Sequence, residues 1–146
     1  MELNGTIGER LTELMEEHGT DVKALARQMN ADPTTVRRWK RGATSLRAEQ
    51  LIRLAELYSC SLEFLTGRSD RECSFSPKAC PPFYPHFRAL LQRKGISRCE
   101  IHRNTRAKSS HFDDWKRGSM PSVAMLLELA DYLHVTLDVL VGRETE

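Results

Sequence analysis

The sequence predicts an all-α protein that contains two copies of one small helical unit. The segment Trp39-Lys40-Arg41-Gly42 returns letter for letter as Trp115-Lys116-Arg117-Gly118, 76 residues later. Around this segment in each copy, apolar residues recur at three- and four-residue spacing, which is typical of helices. No alternating run of β-branched residues lies between turn signals, so strands are not expected. We therefore predict about five helices in each copy.

Matching the two copies divides the chain into a first domain at residues 1–68, a linker at 69–82 and a second domain at 83–146. The linker is polar and ends in Cys80-Pro81-Pro82, a composition that favours an extended connector. Domains of about 60 residues bury only about 60% of the surface that the unfolded chain exposes. Nearly all apolar positions of each copy are therefore expected in a core.

Local signals place the helices of the first copy. The first helix is expected from Ile7 and ends near Gly19. Asp21 is expected to cap the second helix, because its carboxylate can accept free amide hydrogens. Asp32-Pro33 predicts the start of the third helix, since proline at the first helical position loses no hydrogen bond. Ser61 is expected to cap a last short helix.

The third helix is predicted to have one buried and one basic face. Val36 and Trp39 are three residues apart, so both point into the core. Its other residues include four cations, although the formal net charge of the whole chain is only +2. A short helix, a tight turn and a second helix with a polar face can place that second helix in a DNA major groove. A merely solvated helix face is the alternative reading of such a charge cluster.

Both copies resemble the Xre/Cro-type helix-turn-helix family of bacterial and phage repressors. The first copy carries this resemblance in Gly19-Thr20-Asp21, Leu25-Ala26, Val36 to Gly42, Leu54-Ala55 and Leu62 to Gly67. The second copy carries it in Trp115 to Gly118, Pro121-Ser122, Leu129 to Leu133 and Leu137 to Gly142. The resemblance implies two tandem lambda-repressor-like domains in a sequence-specific DNA-binding transcriptional regulator, with repression as the expected role.

The resemblance also implies that the third helix of each copy is the recognition helix. In the first copy, base contacts are expected from Thr34, Thr35, Arg37 and Arg38, and phosphate contacts from Lys40, Arg41 and Thr44. In the second copy, the candidate DNA contacts are Ser109, Ser110, His111, Lys116 and Arg117. Asp113 and Asp114 lie among them, and carboxylates repel phosphates. The second domain is therefore expected either to read DNA weakly or to contact protein.

Two positions depart from the family pattern. Val22 and Arg98 stand where the family often has a glutamine that contacts a phosphate, which puts that contact of the first copy in doubt. His102 stands where the first copy has the small residue Ala26. The larger ring should separate or rotate the second and third helices of the second copy.

Other functional classes have little support in the sequence. No phosphate loop, nucleophile elbow or paired-acid cleft indicates an enzyme, and no cofactor is expected. Cys73, Cys80 and His86 could form a metal or redox site, but their spacing fits no strong ligand set.

No apolar run is long enough for a membrane helix, so we expect a cytoplasmic, nucleoid-associated protein. The expected partners are an operator in double-stranded DNA, a second copy of the chain and a possible protein partner of the second domain. The rival interpretation is a protein-interaction module, for dimerisation or anti-repressor contact, that kept the fold while its second domain does not read DNA.

Overall fold

A computed structural model of the chain describes residues 3–42, 46–69 and 80–144. These residues form ten α-helices and no β-strand. The chain divides into two compact units, Met1–Ser76 and Pro77–Glu146, with five helices in each. The prediction of an all-α fold is confirmed.

Unit 1 contains helices α1 to α5. Their bounds are Leu3–Glu17 for α1, Val22–Met29 for α2, Pro33–Gly42 for α3, Ala48–Leu57 for α4 and Leu62–Leu65 for α5. Helix α1 begins four residues before the predicted start at Ile7. Packing explains this difference, because Thr6 is buried and its side chain contacts the backbone at Gly67. The local pattern of Met1 to Gly5 contains no sign of that contact.

Unit 2 contains helices α6 to α10. Their bounds are Phe83–Lys94 for α6, Arg98–Asn104 for α7, Ser109–Lys116 for α8, Val123–Leu133 for α9 and Leu137–Val141 for α10. The hydroxyl oxygen of Ser97 accepts a hydrogen bond from the N–H of Glu100 at 3.1 Å. The N–H of Ser97 in turn donates to Oε1 of Glu100 at 3.3 Å, so the predicted capping box is present.

Each unit has its own apolar core. In unit 1, Leu11, Leu25 and Trp39 are completely inaccessible to solvent. In unit 2, Phe87, Phe112 and Trp115 are buried together, with ring centroids 5.0 to 5.9 Å apart. The assignment of both tryptophans to the core is confirmed, and Cys60 is buried as predicted.

An ion pair recurs at the same place in both units. In unit 1, Nε of Arg68 lies 2.9 Å from Oε2 of Glu63, and both side chains are partly exposed. In unit 2, the matching pair joins Nη1 of Arg143 to Oδ1 of Asp138 at 2.9 Å. Both members of this second pair are almost fully buried, with side-chain exposures of 1% and 2%.

The predicted linker falls largely on residues 70–79, which lie outside the described residues. Its end, Cys80 to Pro82, lies in unit 2 next to the last helix. The thiol of Cys80 donates to the backbone oxygen of Val141 at 3.2 Å. Pro81 packs so closely on Gly142 that a Cβ added to this glycine would stand 2.6 Å from the proline ring. These residues therefore pack on unit 2.

None of the helices in the described ranges is long and apolar enough to cross a membrane.

Candidate nucleic-acid interface

Helices α2 and α3 form a helix-turn-helix in unit 1. The Asp21 carboxylate caps α2 by accepting a hydrogen bond from the N–H of Ala24 at 2.7 Å, as predicted. Asn30 ends α2 in the left-handed conformation, with φ at 53°. Ala26 is buried on α2, where it allows α2 and α3 to pack closely. The turn from Asn30 to Asp32 then leads directly into α3.

The start of α3 is fixed by Asp32, as the sequence predicts. Oδ1 of Asp32 accepts a hydrogen bond from the backbone N–H of Thr34 at 2.8 Å. This bond and a second one from the Thr34 side chain lower the pKa of Asp32 below its usual 3.8, and the nearby Arg37 guanidinium lowers it further. The aspartate is therefore ionised at neutral pH, and the first turn of α3 begins next to a fixed negative charge.

The inner side of α3 lies directly against α1. Val36 and Trp39 are fully buried. Gly8 of α1 lies against the backbone near the C-terminal end of α3, so that an added Cβ would stand 2.6 Å from the Lys40 oxygen and 2.9 Å from the Trp39 oxygen. No other residue type fits this contact without a shift of backbone. No local pattern in the sequence marks Gly8, and the only signal is that the repeat has Tyr84 at the matching position.

The outer side of α3 carries a basic surface. Thr34, Arg37, Arg38 and Arg41 are exposed, and Thr35 and Lys40 are half-buried. None of the ten residues of α3 is acidic. Thr44, the remaining candidate of this copy, lies outside the described residues. A guanidinium group can donate hydrogen bonds to two acceptors on the edge of a guanine, and it can also bind a phosphate. The chemistry of this surface therefore suits contacts with both the bases and the backbone of DNA.

A comparison with known protein families identifies this part of the chain. Residues 10–67 match the family model of the Cro/C1-type HTH DNA-binding domain. The match begins within α1, includes the whole helix-turn-helix and ends at Gly67, just beyond α5. No curated protein matches the chain. The Cro/C1-type domain found in this way lies wholly in unit 1, so the second predicted copy rests on the internal repeat.

In the Cro/C1-type domain, α3 is the second helix of the helix-turn-helix. Six of the seven candidates in this domain lie on this single helix, which packs on Gly8 of α1: Thr34, Thr35, Arg37, Arg38, Lys40 and Arg41. Thr35 and Lys40 are less exposed than the other four. The structure thus brings together every described candidate of unit 1.

The matching helix of unit 2, α8, has a different surface. Ser109, Ser110, Asp113 and Asp114 are exposed. Nη2 of Arg117, the residue just after α8, lies 2.8 Å from Oδ1 of Asp114, so this candidate cation is paired with a carboxylate of α8. Arg38 of the Cro/C1-type domain corresponds to Asp114 in the repeat. The local charge of α8 is therefore much less favourable for a polyanion than that of α3.

Two further candidates of α8 make contacts within unit 2. Nδ1 of His111 accepts a hydrogen bond from the backbone N–H of Lys108 at 2.9 Å. The His111 ring also stacks on Trp115, with the centroids 6.0 Å apart. The ammonium of Lys116 lies 5.9 Å from the centroid of the Tyr84 ring. Both side chains are thus engaged with the body of unit 2.

His102 fills the junction of α7 and α8, where the Cro/C1-type domain has Ala26. Nδ1 of His102 bonds the backbone oxygen of Ala107 at 2.9 Å, so this nitrogen carries the proton. Its ring lies against Phe112, with the centroids 5.0 Å apart. Helices α7 and α8 pack less closely than α2 and α3. This agrees with the expectation that the larger ring separates the two helices.

The predicted alternative metal ligands do not form a cluster in the described part of the chain. Cys73 lies outside it. Nε2 of His86 lies 2.8 Å from the backbone oxygen of Val139, and the Cys80 thiol is bonded to Val141. No group of three or more histidine, cysteine, aspartate or glutamate side chains among the described residues could hold a metal ion.

Proposed function

We propose that the chain is a sequence-specific DNA-binding transcriptional regulator that reads its operator mainly through α3 of unit 1. The observation that carries this proposal is the outer face of α3, which presents three exposed arginines and no carboxylate. The match of residues 10–67 to a DNA-binding domain family supports it. In this proposal, Arg37, Arg38, Thr34 and Thr35 read base edges.

The proposed roles of the remaining contacts follow from their chemistry. Lys40 and Arg41, in the last turn of α3, hold phosphates together with Thr44. These contacts set the orientation of the domain on the duplex but carry no sequence information. The resemblance to bacterial and phage repressors favours repression over activation, and we propose that the protein acts at the nucleoid of a bacterial cell.

Selection of bound sequences from a random DNA pool tests the proposal directly. A regulator of this kind should enrich one defined site and bind it far more tightly than random DNA of the same length. Its affinity should fall steeply as salt is raised from about 50 to 200 mM, because cations that contact phosphates release counterions from DNA. Binding without any enriched sequence would contradict specific reading, and an absence of binding at low salt would contradict the whole proposal.

A second candidate function concerns unit 2. The exposed pair Asp113 and Asp114, together with the internal pairing of Arg117, favours a surface for protein contact over one for DNA contact. In this version the chain reads DNA through unit 1, and unit 2 mediates dimerisation or an anti-repressor contact. Footprints of the full chain decide between the two versions, since a DNA-reading unit 2 would protect a second site of different sequence.

A further inference from the structure

Tyr84 changes how the first and third helices of unit 2 pack. It stands where unit 1 has Gly8. Whereas Gly8 allows backbone contact between α1 and α3, the Tyr84 ring faces Phe112 edge-on, with the centroids 6.4 Å apart. Helices α6 and α8 pack less closely than α1 and α3. A cavity of about 310 Å³ lies between α6, the start of α7 and α8.

The lining of this cavity combines flat apolar surfaces with positive charge. Its apolar part comes from Leu91, Ile96, Phe112 and the ring of Tyr84. Three cations, Arg88, Arg98 and Lys116, line it together with the neutral polar residues Gln92 and Ser97, and among the described residues no carboxylate lines it. None of these cations forms an ion pair within the part of the chain that the structure describes. The cavity therefore carries uncompensated positive charge beside an aromatic wall.

Arg98 is held in place by two contacts. Its guanidinium carbon lies 4.6 Å from the centroid of the Phe112 ring. Its Nε donates to Nε2 of His102 at 3.1 Å, and His102 is itself oriented by the backbone oxygen of Ala107. Because only Nε is used in this bond, the two Nη groups remain available to an acceptor. A guanidinium that is fixed in this way can bond both oxygens of one carboxylate.

We propose that this cavity is a binding site for a small, flat aromatic carboxylate. The ring of the ligand packs against Tyr84 and Ile96, and its carboxylate accepts hydrogen bonds from Arg98, with Arg88 and Lys116 adding positive charge. The volume lies at the lower end of the range of about 300 to 1,000 Å³ that is usual for ligand sites, which favours a ligand of one or two rings.

Unit 1 lacks the residues that build the site. The repeat places Gly8 at the position of Tyr84, Thr12 at that of Arg88 and Val22 at that of Arg98. Phe112 likewise corresponds to Val36, so two of the three cations and both aromatic residues of the lining are specific to unit 2. The proposal concerns unit 2 alone, so it does not depend on the reading of DNA by α3.

Titration of the full-length chain with 2-naphthoate, followed by calorimetry and by NMR, tests the proposal. We expect saturable one-to-one binding with a Kd below about 1 mM. The neutral 2-naphthamide should bind at least about 10-fold more weakly, because it lacks the charge that Arg98 recognises. Inorganic phosphate, which has charge but no ring, should also bind more weakly than 2-naphthoate.

Substitution by the matching residues of unit 1 provides the variants. Arg98→Val and Arg88→Thr should each weaken 2-naphthoate binding, Arg98→Val by about 10-fold or more. Arg103→Ala, which removes an exposed cation from the same helix α7, should leave the affinity unchanged. Arg88 is exposed, so its variant tests the site even if Arg98→Val unfolds unit 2.

Three results would overturn the proposal. The first is a lack of saturation at 2-naphthoate concentrations up to about 5 mM, which is about five times the expected upper limit of Kd. The second is equal binding of 2-naphthoate and 2-naphthamide, or equal binding by Arg98→Val and wild type. The third is weaker DNA binding by Arg98→Val without any 2-naphthoate binding to the wild-type chain, which would identify Arg98 as a contact to DNA phosphate.

Discussion

The backbone oxygen of Lys40 lies 2.6 Å from the point at which a Cβ on Gly8 would stand. Helix α3 is therefore positioned from behind by direct contact with the backbone of α1. Gly8 is neither in the helix-turn-helix pair nor on the basic face of α3, yet it contacts the backbone of the helix that carries every described candidate of unit 1. The basic face is consequently held by the packing of the core.

Gly8→Ala should destabilise unit 1 and weaken its DNA binding. A methyl group at this position must displace backbone atoms, and overpacking of this kind costs about 1 to 3 kcal/mol. The higher helix propensity of alanine offsets at most about 1 kcal/mol of that cost. Urea unfolding and DNA titration measure the two effects.

Gly5→Ala is the matched control for this change. Gly5 lies in the same helix, and an added Cβ there would meet no other atom within 4 Å. This variant should therefore be as stable as the wild type or slightly more stable. Equal stability of the two alanine variants would show that the contact between Gly8 and Lys40 does not constrain α3.

Arg38→Ala should reduce the affinity for the selected site by about 1 to 3 kcal/mol and should relax the preference at one base pair, since a bidentate contact to a base edge is lost. Lys40→Ala should weaken the binding of all sequences alike, because a phosphate contact carries no sequence information. Electrophoretic mobility shifts on the selected site and on single-base variants of it measure both effects.

Arg53→Ala controls for the loss of one positive charge. Arg53 is exposed on α4 of the same unit, outside the proposed interface. Its removal should change the affinity for the selected site very little. If Arg38→Ala binds that site as tightly as Arg53→Ala does, α3 of unit 1 is not the reader.

Asp138→Asn should destabilise unit 2 much more than Glu63→Gln destabilises unit 1. This substitution removes the negative charge that lies 2.9 Å from the almost fully buried Arg143, and the loss of one member of a buried ion pair costs about 3 to 5 kcal/mol. The matching pair of Glu63 and Arg68 is partly exposed, so its loss should cost no more than about 1 kcal/mol. Thermal unfolding of the two variants under identical conditions compares the costs, and similar losses in both would contradict this assignment.

Short-range patterns were sufficient to predict much of the fold. Asp21, Asp32 and Ser61 each cap the helix that the sequence predicts, because a cap depends on residues that are at most three positions apart. The three-residue spacing of Val36 and Trp39 likewise determined which side of α3 is buried, and hence which side is basic and exposed.

Features that depend on packing between distant segments were not predictable in this way. The early start of α1 follows from the contact of Thr6 with Gly67, and the position of α3 follows from Gly8. None of these contacts leaves a periodic signal, although the replacement of Gly8 by Tyr84 in the repeat is visible once the copies are compared.

The last prediction concerns the number of chains on one operator. Helix-turn-helix proteins commonly read two half-sites about 34 Å apart along the duplex. Two identical DNA-binding domains related by two-fold symmetry match such a pair of half-sites. The two units of one chain have unlike surfaces on their third helices. Exposed Arg37 and Arg38 of unit 1 stand at the positions that exposed Asp113 and Asp114 occupy in unit 2. Two copies of unit 1, one from each of two chains, therefore fit a palindromic site better than unit 1 and unit 2 of the same chain do.

We therefore expect a homodimer in which each unit 1 reads one half-site and unit 2 contributes to association. Light scattering should give twice the chain mass of 16.7 kDa, and footprints should show two like half-sites. A fragment of residues 1–76, which is one compact unit, should bind the full operator at least about 100-fold more weakly, since it loses the gain from linked binding. A monomer that protects two unlike half-sites would contradict this arrangement, because it would show that unit 2 reads DNA itself. Full operator affinity in the fragment would also contradict it, because unit 2 would then not be needed to pair two copies of unit 1.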